Sequence, residues 1–257
     1  GDVDEDDEDE DGDEEDEEDE GGEEGLARAD DGPVETLPYT FPIPKTYQEF
    51  AGWVSGRSPE EVAEVVRRVK ACNSSALGAD SRKLLQVFFG FVMQKWADLA
   101  GEVPLPIGHI DVLVPVIYEM AAEVPLFSAK VAQARLAALR KRLSGALSKG
   151  SVVAEGGGVE SGWPSGRALM LFTLWGTIYP TTDFRHPVLT PAAVVMGQYL
   201  SDCPVCSTVD VAKGLVLSSL SLHYAGGRLV PEAVTFLATA LGQAAGSGRA
   251  EPCAEMR

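Results

Sequence analysis

The chain is 257 residues long, 45% apolar and 24% charged, with a formal net charge of -19. Four cysteines in a chain of this size exclude a secreted disulfide framework. Its apolar runs fall well short of the roughly 18 residues that a bilayer span needs.

Residues 1 to 24 hold nineteen Asp and Glu and no Lys or Arg, and the other 21 acids are matched by 21 bases, so the whole net charge sits in this run. Val3 is its only large apolar residue. Such a run cannot bury apolar area, and its like charges repel when compact, which predicts an extended, disordered segment. Its role stays open between a solvating linker and a polyanionic lure for basic proteins or decoy for nucleic-acid sites. The chain opens on Gly1, not Met, which suggests an excised fragment.

From Asp30 to Lys45, Pro33, Pro38, Pro42 and Pro44 alternate with Leu37, Tyr39, Phe41 and Ile43. This suits an extended segment whose side chains anchor on a surface, and docking on its own helical domain is the simpler expectation.

Helical signals follow. Ser58-Pro59-Glu60-Glu61 is a capping box, and Val62, Val65, Val66 and Val69 make the i, i+3, i+4, i+7 stripe of a helix ending near Asn73. Asp80 or Ser81 starts a longer helix with Leu85, Phe88, Phe89, Val92, Trp96 and Leu99 on more than one face and Gly101 as its stop. A third is expected from Pro106 to Ala122, with Ile110, Leu113, Val114, Ile117 and Tyr118 inward. A fourth runs from about Leu126 to Ser148, with Leu136, Leu139, Leu143 and Leu147 on one face. Between Val124 and Ala154 lie Lys130, Arg135, Arg140, Lys141, Arg142 and Lys149 and no acid. That patch reads either as a solvated face or as a contact for RNA or nuclear import factors.

Ser151 to Gly162 is glycine-rich and lacks both the lysine-serine ending of a P-loop and a preceding strand. A helix from about Pro164 to Tyr179 leads into Tyr179-Pro180-Thr181-Thr182-Asp183-Phe184-Arg185-His186-Pro187-Val188-Leu189-Thr190-Pro191. Pro180 should stop that helix at Tyr179, and Thr190 should cap the next with Pro191 at its first position. Asp183 is expected to bind backbone amides of the turn, and His186 to cap or pack there. Further helices are expected at about 191–201, 208–225 and 231–244.

Cys203-Pro204-Val205-Cys206 has the spacing of a metal or redox pair, but no second pair or His cluster completes a zinc site and no strand precedes it, so a structural, reduced pair is expected. His109, His186 and His223 stand in no triad or metal motif. No catalytic residue, cofactor or metal is assigned. With no persistent period-two pattern, the fold is read as all-α: stacked antiparallel pairs of an irregular armadillo or HEAT kind, or else a compact bundle.

Several motifs together carry a resemblance: Leu37-Pro38-Tyr39-Thr40-Phe41 with Tyr47, Gly56-Arg57-Ser58, Cys72-Asn73, Phe89-Gly90-Phe91 and Asp98-Leu99-Ala100. Tyr179 to Phe184, His186-Pro187-Val188, Thr190-Pro191, Cys203-Pro204, Asp210-Val211 and Lys213-Gly214-Leu215 continue it. In order and spacing over about residues 36 to 241, and with an acidic tract ahead, they resemble the central region of the nucleolar protein 14 family. Arg185 stands where that family has an aromatic residue, the loop 151–162 is unusually glycine-rich, and Cys206 has no counterpart.

The resemblance implies a non-catalytic helical-repeat scaffold of the small-subunit processome, acting in the nucleolus in pre-rRNA processing and small ribosomal subunit biogenesis. Its implied partners are nucleolar complex protein 4 and other processome proteins, with pre-rRNA and the small nucleolar ribonucleoprotein met directly or indirectly, and no membrane. The expected organisation is a disordered acidic segment over 1–35, a helical-repeat domain over 36–247 and a disordered tail over 248–257. Leu37, Tyr39, Phe41, Asp183, Phe184, His186 and Pro187 form the expected docking or fold-setting motif, and Lys130 to Lys149 the expected RNA or partner contact. The competing expectation is a chaperone or transport adaptor whose acidic tail holds basic cargo.

Overall fold

A computed structural model describes residues 41–73, 79–148, 162–183 and 185–246. The acidic tract, Leu37, Tyr39, the loop 151–161, Lys149, Phe184 and the tail after 246 lie outside the described residues. Within them the chain forms nine α-helices and no strand: α1 (Tyr47–Val54), α2 (Pro59–Cys72), α3 (Ala79–Leu99), α4 (Ile107–Glu123), α5 (Pro125–Ser148), α6 (Gly166–Ile178), α7 (Leu189–Asp202), α8 (Thr208–Ala225) and α9 (Pro231–Gly246). None is long and apolar enough to cross a membrane.

The helices begin where local chemistry directs. Ser58 accepts from the Glu61 amide while the Glu61 carboxylate accepts from the Ser58 amide, so α2 opens on the expected capping box, with Pro59 at its first position. Thr46, Ser165 and Ser207 cap α1, α6 and α8 through their hydroxyls. Gly226 ends α8 in the left-handed region at φ 58°, which costs glycine nothing.

Packing follows an alternating ladder. The odd-numbered helices touch in the series α1, α3, α5, α7, α9 and the even-numbered in the series α2, α4, α6, α8, while neighbours in sequence close pairs such as α3 with α4 and α7 with α8. Two rows of helices, each contacting the element two places on, is the packing that stacked helix pairs make.

The core lies between the rows. Phe50, Phe88, Phe89, Trp96, Phe172, Trp175 and Tyr199 are almost fully buried. Phe50 and Phe88 meet edge to face at 5.4 Å, as do Phe172 and Trp175 at 5.6 Å, the geometry that ring quadrupoles favour. At α8 against α9, a Cβ on Gly214 would stand 2.0 Å from the Phe236 ring, so this crossing needs glycine.

Four expectations change. The described end of the proline-rich stretch stays outside any helix up to Lys45, but it is followed by an unanticipated helix, α1, which its eight residues and the prolines just before it hide from any periodicity reading. In α4 the buried set is Ile110, Leu113, Val116, Ile117, Met120 and Ala121; Val114 is half-buried and Tyr118 is 55% exposed. The stripe is rotated because α4 is gripped by α2 on one side and by α3, α5 and α6 elsewhere. On α5, Leu136 and Leu143 are buried, but Leu139 is only half-buried and Leu147 lies open. Finally, α7 starts at Leu189, so Thr190 and Pro191 sit inside its first turn instead of capping it.

Candidate interaction surface

Tyr179 ends α6 as expected, its amide still donating to Trp175 O. Within the turn that follows, Asp183 Oδ1 accepts from the Arg185 amide at 2.9 Å, the short Asx contact expected of it. His186 takes the capping role: its Nδ1 accepts from the amides of Val188 and Leu189 at 3.2 and 3.3 Å, which places the ring proton on Nε2. Burial holds its pKa below the ordinary value, with Asp183 pulling the other way. Its ring lies 4.8 Å from that of Tyr179.

Helix α5 fixes this turn from outside. Gln133 Nε2 donates to Pro187 O at 3.0 Å, and burial raises the pKa of the Tyr179 phenol, with Ser128 of α5 nearby pulling the other way. Thr182, Asp183, Arg185 and Pro187 stay exposed on the rim. The turn is therefore a brace between α5, α6 and α7 with a small polar outer edge.

Other motif residues act as joints in the same way. The Tyr47 hydroxyl on α1 donates to Asp98 Oδ2 on α3, and burial followed by that carboxylate pushes the phenol's pKa well up. Asn73 Nδ2 donates to Val69 O at 2.8 Å and to Phe41 O at 3.4 Å, tying the entering segment to the end of α2. Phe41 is buried against Trp53, with ring centres 5.4 Å apart, so at its described end the proline-rich stretch docks on its own helices. Arg57 Nε donates to Trp53 O, and Arg57 O lies 3.0 Å from His109 Nε2. At 2% exposure, Asp210 accepts from the Cys206 amide at the start of α8.

Cys203 closes α7 and is buried; burial, with Asp202 and Asp210 nearby, pushes its thiol up to about 12. A thiol held protonated is a poor nucleophile and a poor metal ligand. Among the described residues no group of three or more His, Cys, Asp or Glu could hold a metal ion. His109, His186 and His223 belong to three separate helices or turns and converge on no common cleft.

The basic stretch divides. Arg135 turns inward: it is half-buried, its Nη2 donates to Met93 O at 3.3 Å, and desolvation lowers its pKa while Asp98 partly restores it. It stitches α5 to α3 and leaves only part of its side chain at the surface of the expected patch. Lys130, Arg140, Lys141 and Arg142 are exposed on α5, and none makes an ion pair among the described residues. An open groove of 370 Å³ runs beside Arg140, between Leu143, Ser144 and Leu147 of α5 and Gln198 and Asp202 of α7.

A model of the Nop14-like family matches residues 1–254. The chain is 34% identical over 215 residues to Nucleolar protein 14 of Homo sapiens, which covers 83% of this chain and 24% of that protein. Over 203 residues it is 34% identical to Nucleolar protein 14 of Mus musculus, covering 78% of this chain and 23% of the relative. Against Probable nucleolar complex protein 14 of Schizosaccharomyces pombe it is 27% identical over 208 residues, 80% of this chain and 24% of the relative. The chain thus spans about a quarter of the length of the curated relatives it matches.

Proposed function

Because this chain belongs to the Nop14-like family, we propose that it is a non-catalytic scaffold segment of a nucleolar ribosome-biogenesis factor. Its finer role is in the small-subunit processome, in small-subunit pre-rRNA processing. The observation that carries this is the use of the motif residues as joints. Tyr47 with Asp98 fastens α1 to α3, Asn73 with Phe41 ties the entering segment to α2, His186 caps the head of α7, and Pro187 accepts from Gln133 of α5. Residues spent on holding a helix array in register support a role that depends on its shape, as an extended binding surface does. The alternating ladder supports the armadillo or HEAT-like reading in the same way.

Partners follow as part of the proposal: nucleolar complex protein 4 and other processome proteins on the helix surfaces, and pre-rRNA within the same particle. The test is purification of the tagged full-length protein with its associated RNA and proteins. Recovery of small-subunit precursors supports the scaffold. One observation favours a second reading: nineteen acids in the first 24 residues suit a carrier of basic cargo. Soluble basic proteins recovered without precursor RNA, and lost on deleting residues 1–24, would establish that carrier instead.

A further inference from the structure

We propose that the outer face of α5 between Lys130 and Ser148 is a direct docking surface for the phosphodiester backbone of RNA, read by charge and without base preference. The inference deepens the ribonucleoprotein reading above and rests on it for RNA being the polyanion at hand.

Three observations on α5 converge. Every formal charge on the helix is positive, although the folded part of the chain is balanced overall. Around α2 and at the start of α3 most basic residues are neutralised locally, Arg57 by Glu61, Arg67 and Arg68 by Glu64, Lys70 by Glu119 and Glu123, and Lys83 by Asp80. Those without an ion pair among the described residues elsewhere, such as Arg82, Lys95 and Lys213, stand singly. On α5, Lys130, Arg140, Lys141 and Arg142 have no such partner among the described residues, and Asp202, which shares the groove with Arg140, does not pair with it. Positive charge left uncompensated over about three helical turns raises a local potential that attracts a polyanion.

The geometry favours a backbone over a folded protein partner. Lys130 and Lys141 recur on one side of the helix about 16 Å apart, with Arg140 and Arg142 flanking the second. The exposed positions between and beyond them are mostly small, Ala134, Ala137, Ala138, Ser144, Gly145 and Ser148, with Gln133 turned to Pro187 and Leu147 open near the C-terminal end. Small side chains let a rod of phosphates lie close while the long cations reach it. These positions offer no aromatic to stack on a base or to anchor a protein, and their one large apolar side chain, Leu147, stands beyond the cations near the end of the helix. The hydrogen bond from Gln133 to Pro187 O ties α5 to the turn between α6 and α7, so the charges are presented on a held element.

The test uses the whole chain and the full-length protein. Binding of a short A-form RNA duplex to the chain is followed by fluorescence anisotropy as salt rises from about 50 to 200 mM, over which phosphate contacts lose most of their affinity. The triple variant Arg140→Gln, Lys141→Gln, Arg142→Gln should bind at least tenfold more weakly, with the slope of log affinity against log salt reduced by about 2 to 3, close to one per lost phosphate contact. A control of equal charge change on α2 and α3, Arg67→Gln, Arg82→Gln, Lys83→Gln, should keep affinity within about threefold. Circular dichroism confirms that both variants are folded.

Equal loss in the control, or no loss in the triple variant, overturns the proposal. Binding of a polyglutamate peptide as tight as that of RNA also overturns it and makes the face a protein-acid site. In cells, crosslinking of the full-length protein should place RNA on peptides from 130–148. If the protein resides in small-subunit precursors yet shows no crosslink there, the docking surface fails and the scaffold reading stands. If it is absent from precursors, the scaffold reading fails and the duplex measurement still decides the surface.

Discussion

At the level of single residues the fold depends on close contacts that substitution can expose. Gly214 leaves no room for a methyl group beside the buried Phe236 ring, so Gly214→Ala should destabilise the chain by about 1–3 kcal/mol, measured by thermal or urea unfolding. Tyr47→Phe removes the hydroxyl that Asp98 accepts from and should cost about 1–2 kcal/mol. His186 gives a pH dependence. Its folded pKa is depressed, mainly by burial, so the unfolded chain binds more protons between that value and the ordinary one near 6.5. The stability it contributes is complete above about pH 6.5 and is lost as pH falls through the folded pKa, because a protonated Nδ1 can no longer accept from Val188 and Leu189. Unfolding followed from pH 7.5 to 5 should show this loss, and His186→Ala should remove that part of the slope.

At the level of helices, caps and crossings do different work. Ser58→Ala removes the hydroxyl arm of the capping box of α2 and leaves the backbone arm to Glu61, and it should cost about 0.5–2 kcal/mol, checked by chemical denaturation. Helix α5 is held unevenly: its buried residues are Ser128, Ala132, Leu136 and Leu143, and nothing beyond Leu143 is buried. Its last turn should therefore exchange amide hydrogens first, while the segment under the turn at Pro187 stays protected. In α4, Pro115 leaves the Asp111 carbonyl without its helical donor, but both lie on the exposed side, where water can serve instead.

These elements also show what a sequence can reveal. Alpha-helices with strong caps or long stripes, α2 and α3 above all, were legible to within a residue or so because capping and periodicity act locally. The helix α1 was not, since eight residues bounded by Pro44 and Gly56 carry too little period, although Thr46 followed by Glu49 was an available cap signal. Inward faces were less legible than helix bounds. Tyr118 is exposed and Arg135 half-buried because burial is decided by which helices arrive, as Met93, 42 residues away, does at Arg135. The roles of Asp183 and His186 were legible, being set inside one turn; their bracing by α5 was not.

At the level of the molecule, the described part is an alternating ladder of helices whose motif residues serve as joints, and among the described residues no group of three or more His, Cys, Asp or Glu could hold a metal ion. The segment matches its family from 1 to 254 while spanning about a quarter of the relatives' length, so its contribution is best judged inside the full-length protein. The most direct measurement is sedimentation and purification of that tagged protein, with the bound RNA sequenced and the proteins identified. The account predicts small-subunit precursor RNA together with nucleolar complex protein 4 and other processome factors, retained when residues 1–24 are deleted. Free basic proteins in place of precursor RNA, lost with that deletion, would contradict it.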